Sequence, residues 1–179
     1  MSNNIINFLY AAILSGTPLL FGTIGEILSE KVGNLNLGVE GMMWLGAFAG
    51  FFAAFKTGSL IIAVLAAFGA AALGALLYAF LTVTLKANQN VTGLTLTTLG
   101  IGLSLVLGYA MTDSVGGAPK VSDEFRAAVA PVHIPFLSDI PYIGKLFFQL
   151  NPLVYLSIII AVICAIYFKR TRVGLNVRA

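Results

Sequence analysis

Five long apolar stretches constrain the fold of this chain more than any other feature of its sequence. An α-helix needs about 20 mostly apolar residues to cross the hydrocarbon core of a membrane. Each stretch approaches or exceeds that length, and each ends at charged, amide or glycine-containing residues. We therefore predict an all-α polytopic membrane protein with about five transmembrane helices, at residues 5–28, 39–55, 59–85, 91–111 and 152–168.

The composition supports this class and excludes several others. The chain is 59% hydrophobic and only 9% charged, whereas soluble domains carry about 25% charged residues. The net charge of +3 is modest, and nothing in it resembles a nucleic-acid-binding patch. Cys164 and His133 are each the only residue of their type, so we expect neither a disulfide framework nor a metal site.

No enzyme signature is present in the sequence. The chain has no glycine-rich phosphate loop, no paired carboxylates within a predicted span, and no Ser/His/Asp set with a plausible base. We predict that it is not an enzyme, that it has no catalytic residues and that it binds no cofactor of its own.

Basic residues near the ends of the spans predict the orientation in the membrane. Four of them (Lys169, Arg170, Arg172 and Arg178) follow the last span, which predicts that this end is cytoplasmic. Counting back through five spans places Lys31 and Lys86 inside and the N-terminus outside. We interpret 1–179 as one transmembrane domain.

The predicted external loop covers about residues 112–151 and is the largest polar region. It contains prolines and apolar patches at 134–137 and 142–144. These patches favour short elements on the outer membrane face, where a soluble protein could dock. A passive connector is the alternative.

Polar residues crowd the start of the second and fourth predicted spans. Glu40 is the only ionisable residue between Lys31 and Lys56, and a carboxylate in mid-bilayer costs a few kcal/mol. It either lies at the headgroup level, where a helix N-terminus favours it, or makes a buried polar contact that shapes a pathway. Our candidate residues for a translocation pathway are Asn36, Glu40, Asn88 and Gln89.

Glycines recur at helical spacing in the middle spans. Residues four apart share one face of a helix, and small residues there allow another helix to pack closely. Gly38 and Gly41 flank Glu40 and allow a similar close approach. The predicted packing positions are Gly38, Gly41, Gly46, Gly50, Gly100 and Gly108.

Four motifs, in this order, resemble a known family. They are G-N-L-N-L-G-V-E-G-M-M at 33–43, K-A-N-Q-N-V-T-G-L at 86–94, the loop pieces I-P-F-L-S-D-I-P at 134–141 and N-P-L-V-Y at 151–155, and R-T-R-V-G-L-N-V-R-A at 170–179. With them the chain resembles the membrane permease subunits of bacterial ABC importers for simple sugars, branched-chain amino acids and nucleosides. It is most similar to the nucleoside branch.

The resemblance implies a multi-pass subunit of a heteromeric importer in the bacterial cell membrane. Its implied partners are a second permease subunit, ABC ATPase subunits that bind ATP, and an extracytoplasmic solute-binding protein. The implied solute is a nucleoside, with a simple sugar or a branched-chain amino acid as the near alternative. Chains of this family continue past the end of this one, so we expect 1–179 to be an N-terminal portion.

Alternatives from another class are a secondary transporter and a non-transporting scaffold. Secondary transporters usually place paired ionisable residues in mid-membrane for ion coupling. The cores of the third, fourth and fifth predicted spans contain no ionisable residue, which disfavours that class.

Overall fold

The computed structural model describes residues 2–132, 138, 144–171 and 174 of the chain. Within these ranges the chain forms α-helices and short π-helical turns and no β-strand, which confirms the all-α prediction. The α-helices are α1 (Ser2–Lys31), α2 (Val39–Thr57), α3 (Leu60–Ala79), α4 (Gln89–Val115), α5 (Asp123–Ala128) and α6 (Pro152–Arg170), and π-helical turns lie at Phe80–Thr84 and Gly144–Phe148.

The number of membrane-spanning helices agrees roughly with the prediction of about five. Four segments are long and apolar enough to cross a membrane: Asn4–Lys31, Leu60–Thr84, Gln89–Val115 and Pro152–Arg170. The remaining predicted span corresponds to α2, which has 19 residues and carries Glu40 in its first turn and Lys56 in its last. These two charges lower the hydropathy of α2, which is not among the four.

The outer surfaces of the long helices are apolar. Large hydrophobic side chains are exposed on α1, α3 and α4, for example Phe8, Phe68 and Val106, which are 71%, 74% and 64% exposed. A water-soluble protein rarely exposes so much contiguous apolar surface. In a membrane protein such side chains contact lipid tails, so this surface fits the predicted class.

The predicted external loop begins later than expected, because α4 continues to Val115. Two short elements are found in it, α5 and the π-helical turn Gly144–Phe148. The apolar patches at 134–137 and 142–143 lie outside the described residues, as do His133 and the basic residues Arg172 and Arg178.

The chain divides into two compact units, residues 33–128 and residues 1–32 with 129–179. In the first unit, α2 packs against both α3 and α4. Gly46 lies opposite Ala67, whereas Gly50, one turn further along α2, lies opposite both Ala67 and the earlier Ala63. Helices α2 and α3 therefore run antiparallel.

The buried centre of this unit is small. Met42 from α2, Tyr78 from α3 and Leu96 from α4 form its hydrophobic cluster, each 7% exposed or less. All three lie toward the end of the unit at which α2 and α4 begin. The hydrophobic cluster of the unit is thus next to the polar segment that precedes α2.

In the second unit, α1 packs along α6 and contacts the turn at 144–148. The Lys31 ammonium lies 5.4 Å from the ring centroid of Phe168. At the opposite end of α1, Lys145 Nζ donates a hydrogen bond to Asn7 Oδ1 at 2.7 Å. The C-terminal ends of α1 and α6 are therefore neighbours, as expected if Lys31 and Lys169 lie on the same side of the membrane.

Candidate functional site

The polar segment before α2 is held in place by side chains from α3 and α4. Leu35 N donates to Gln89 Oε1 at 3.1 Å, and the Leu35 carbonyl accepts from the Tyr78 hydroxyl at 2.6 Å. The Thr97 hydroxyl donates to the Leu37 carbonyl at 2.8 Å. Irregular backbone at membrane depth is stable only when its polar groups are satisfied in this way.

Asn36 organises the start of α2. It is 7% exposed, and its Oδ1 accepts a hydrogen bond from Gly38 N at 3.0 Å. Its Nδ2 lies 3.8 Å from Met42 Sδ. The amide is therefore engaged with the chain that surrounds it.

Asn88 and Gln89 lie at the start of α4, and the side chain of each accepts hydrogen bonds from backbone N–H groups. Asn88 is the N-cap, and its Oδ1 accepts from Asn90 N at 3.0 Å and Val91 N at 3.2 Å. Gln89 holds Leu35, as described above. Asn88 thus fixes the beginning of α4, and Gln89 connects it to the segment that leads into α2.

Glu40 differs from the other three predicted pathway residues. It is exposed in the first turn of α2, where the helix dipole favours a negative charge. In the part of the chain that the structure describes, no hydrogen bond or ion pair to its carboxylate is found. Its position matches the first of the two alternatives left open by the sequence, a charge at a helix N-terminus.

Glycines allow α2 and α4 to cross with the backbones of the two helices in contact. A methyl group added to Gly41 would overlap the Leu96 carbonyl and lie 2.6 Å from Thr97 Cα, and one added to Gly100 would overlap the Gly41 carbonyl. Gly38 is also tightly packed, with Asn36 Oδ1 at 3.1 Å from such a methyl.

The glycines further along α2 contact α3. A methyl on Gly46 would lie 3.1 Å from the Ala67 carbonyl oxygen, and one on Gly50 would lie 3.1 Å from Ala67 Cβ. Gly108 is different, because no atom lies within 4 Å of its added methyl.

Gly93 is a close-packed glycine that is not among the predicted packing positions. A methyl group on it would lie 2.9 Å from Leu37 N, so the polar segment rests directly on this glycine. Gly93 and Gly100 are seven residues apart, a spacing that places both on one helix face and that could have identified the pair.

A cavity of about 430 Å³ lies between α2 and α4, toward the end at which both helices finish. From α2 it receives Trp44, Phe48 and Phe51, which share one face because their spacing is four and then three residues. Its mostly apolar lining consists of Trp44, Ala47, Phe48, Phe51, Ser104, Leu105, Gly108, Tyr109, Met111, Thr112 and Pro119. This cavity is not among the sequence-based predictions, although the spacing of the aromatic residues could have indicated it.

Ser104 is the unusual residue of the cavity wall. It is 5% exposed, and its Oγ is buried with no hydrogen-bond partner in the described ranges. Other hydroxyls of α4 bond to the carbonyl four residues earlier: Thr95, Thr98 and Thr112 do so at 2.8, 3.0 and 2.9 Å. A buried unpaired hydroxyl costs about 1–3 kcal/mol, so Ser104 retains hydrogen-bonding capacity that the described chain does not use.

A mostly apolar, aromatic lining with few polar side chains suits the binding of a ligand rather than catalysis. Aromatic faces stack on planar rings, and a few placed polar groups fix the orientation of a ligand in an apolar site. Among the described residues that line the cavity, none is charged. Among the described residues, no cluster of His, Cys, Asp and Glu could hold a metal ion.

Comparison with known proteins identifies relatives over nearly the whole chain. A permease protein of Haloferax volcanii, TsgC13, provisionally assigned to a glucose ABC transporter, is 33% identical over 172 residues, which are 96% of this chain and 50% of the relative. The nucleoside ABC transporter permease protein NupC of Lactococcus lactis is 32% identical over 187 residues, which cover 98% of this chain and 57% of the relative. The guanosine ABC transporter permease protein NupQ of Bacillus subtilis is 32% identical over 185 residues, which cover 94% of this chain and 54% of the relative.

The chain thus spans about half the length of the curated relatives it matches. No solved structure matches it. The relatives are permease proteins, which agrees with the prediction that the chain is not an enzyme. Together, the relatives and the apolar helices indicate a multi-pass protein of the cell membrane. The family model described as "Branched-chain amino acid transport system / permease component" matches residues 7–179, and the chain belongs to this family.

Proposed function

We propose that the chain forms part of the permease subunit of an ATP-driven importer for nucleosides, and that the cavity between α2 and α4 receives the solute. The observation that carries this proposal is the set of three aromatic side chains in one cavity whose described lining is uncharged, beside the buried and unpaired hydroxyl of Ser104. A nucleobase has a flat face for the aromatic rings and edge groups that hydrogen-bond to a hydroxyl. Two of the relatives named above are nucleoside or guanosine permease proteins.

A simple sugar is the second candidate, because one relative is assigned to glucose. A sugar has hydroxyl groups around its ring and needs several polar partners to offset their desolvation. The polar side chains of the cavity are Ser104, Tyr109, Thr112 and the indole N–H of Trp44, whereas the rest of the lining is apolar. This balance favours the base of a nucleoside over a sugar alone.

The four polar residues predicted for the pathway take two roles in this proposal. Asn36, Asn88 and Gln89 shape its other end, because Gln89 bonds the segment before α2 to α4, Asn36 bonds within that segment, and Asn88 caps α4. Glu40 lies exposed in the first turn of α2 at this same end, where it places a negative charge. In the predicted topology this end faces the cytoplasm, whereas the cavity lies toward the outer face.

The partners proposed from the family are a second permease subunit, ATPase subunits and an extracytoplasmic binding protein. ATP is bound and hydrolysed by the ATPase subunits. Dependence of uptake on ATP rather than on an ion gradient separates this proposal from a secondary transporter, and any uptake separates it from a scaffold.

Trp44 provides a direct test, because it is the only tryptophan of the chain and lines the cavity. Its fluorescence, excited at the red edge of its absorption, is titrated with uridine, guanosine, glucose and leucine in nanodiscs, and free N-acetyltryptophanamide corrects for absorption by the bases. We expect saturable quenching by the nucleosides alone. Saturable quenching by glucose alone would transfer the proposal to a sugar, and no saturable signal with any solute would overturn the assignment of the cavity.

A further inference from the structure

A second cavity, of about 340 Å³, lies between α1 and α6 and is separate from the proposed solute site. Along α1 its lining extends from Leu20 to Lys31, about 16 Å at a rise of 1.5 Å per residue. Half of the hydrocarbon thickness of a bilayer is about 15 Å. The groove therefore has the length of one leaflet.

The groove changes in character from one end to the other. Its deeper part is lined by apolar side chains such as Leu20, Ile24 and Ala161, whereas its other end carries two ammonium groups, those of Lys31 and Lys169. In the described part of the chain, no acidic residue lines it and neither lysine has an ion pair.

The two lysines are placed where a lipid headgroup would lie. Lys31 is in the last turn of α1 and Lys169 in the last turn of α6. Lys31 lies over the Phe168 ring at 5.4 Å, and this contact positions its ammonium group at the mouth of the groove. Two positive charges at one mouth repel each other unless an anion lies between them.

We propose that this groove binds an anionic phospholipid, with one acyl chain along α1 and α6 and the phosphate between Lys31 and Lys169. Charge complementarity at the mouth and the leaflet-length apolar wall select this occupant over a neutral lipid or another apolar helix. Clusters of basic residues at the cytoplasmic end of membrane helices attract anionic headgroups in this way. The site is independent of the solute proposed above.

Cys164 makes the proposal testable, since it is the only cysteine of the chain and lines the groove. It precedes Lys169 by five residues, so it lies about 7.5 Å deeper. A bimane fluorophore on Cys164 is measured in phosphatidylcholine nanodiscs that contain low fractions of 6,7-dibromo phosphatidylglycerol or of 6,7-dibromo phosphatidylcholine. We expect the glycerol lipid to quench at a mole fraction about 25-fold lower, since two interfacial Lys residues each contribute about fivefold.

Substitutions separate charge from packing. Each interfacial Lys contributes about fivefold to the affinity for an anionic surface, so Lys31→Gln with Lys169→Gln should reduce the headgroup preference by about 25-fold if the two effects add. Lys31→Arg with Lys169→Arg should retain it. The matched control is Lys56→Gln with Lys86→Gln, which removes two lysines from the unit that does not contain the groove and should leave the preference unchanged.

Native mass spectrometry of the unlabelled protein gives a second measurement, in which phosphatidylglycerol should remain bound to the parent chain and be lost from the double Gln variant. Equal quenching by both brominated lipids, or a preference that survives removal of both lysines, would overturn the proposal. Absence of quenching by either lipid would mean that protein covers the groove, and would overturn it as well.

Discussion

Gly41 of α2 and Gly100 of α4 meet backbone to backbone, so that neither residue has space for a methyl group. This crossing brings the polar segment at residues 34–38 onto the first turns of α4. The aromatic cavity lies further along the same two helices. The arrangement of the candidate site depends on this contact.

Gly41→Ala and Gly100→Ala should therefore be strongly destabilising. Each added methyl meets backbone atoms that cannot move away independently, and overpacking of this kind typically costs about 1–3 kcal/mol. The loss is measured as a lower thermal unfolding midpoint in detergent.

The matched control for this pair is Gly102→Ala on the same helix, where a methyl meets nothing within 4 Å. Alanine has the higher helix propensity, so this variant should be neutral or slightly more stable. Equal midpoints for all three variants would contradict the close crossing of α2 and α4.

Ser104→Ala should separate stability from binding. Removal of a buried hydroxyl that lacks a partner should leave the unfolding midpoint unchanged or raise it, since no hydrogen bond within the described chain is lost. Nucleoside affinity, measured by Trp44 fluorescence, should fall by about 2- to 12-fold, the equivalent of one hydrogen bond of about 0.5–1.5 kcal/mol.

Thr95→Val is the control for Ser104, because the Thr95 hydroxyl bonds to the carbonyl four residues earlier and is exposed. It should leave affinity unchanged. An unaltered affinity in Ser104→Ala would show that this hydroxyl does not contact the solute.

Tyr78→Phe should loosen the segment before α2. Tyr78 is 3% exposed, and its hydroxyl donates to the Leu35 carbonyl at 2.6 Å. Loss of this donor leaves a carbonyl poorly satisfied, which costs about 1–3 kcal/mol. Hydrogen exchange should become faster in residues 34–38, whereas Tyr109→Phe, at a residue that is 74% exposed, should not change it. Unchanged protection in Tyr78→Phe would argue against the anchoring role.

Asn88→Ala should destabilise the beginning of α4. The Asn88 side chain caps two backbone N–H groups, and loss of such a cap typically costs about 0.5–2 kcal/mol. Asn90→Ala removes a neighbouring exposed amide and should cost less, because Asn90 contributes its backbone N–H and not its side chain to the cap. A larger loss of thermal stability in Asn90→Ala than in Asn88→Ala would contradict this assignment.

The apolar runs were sufficient to predict the helices, because a membrane span requires a length and a hydropathy that can be read directly. The observed helix boundaries differ from the predicted ones where capping decides them. Helix α4 begins at Gln89 because Asn88 caps it. It continues to Val115, beyond the apolar run that ends near Met111. Gly116 ends it with a positive φ of 70°, a conformation that favours glycine.

The site was harder to predict than the helices. Asn36, Asn88 and Gln89 were recognised as polar residues in an unusual place, but their hydrogen-bond partners are long-range or involve backbone groups that the sequence does not display. The unpaired state of Ser104 depends on the orientation of one hydroxyl in the folded chain. A spacing rule indicates that Ser104 shares a face with Gly100 and Gly108, but not where its hydroxyl points.

The most direct test of the account is uptake of radiolabelled uridine and guanosine by cells with the gene, without it, and with the Ser104→Ala form. Unlabelled nucleosides, glucose and leucine serve as competitors. We predict that uptake is lost on deletion, reduced by Ser104→Ala, and suppressed only by nucleosides. Nucleoside uptake that is unchanged by deletion, with glucose uptake lost instead, would contradict the nucleoside assignment and support a sugar permease.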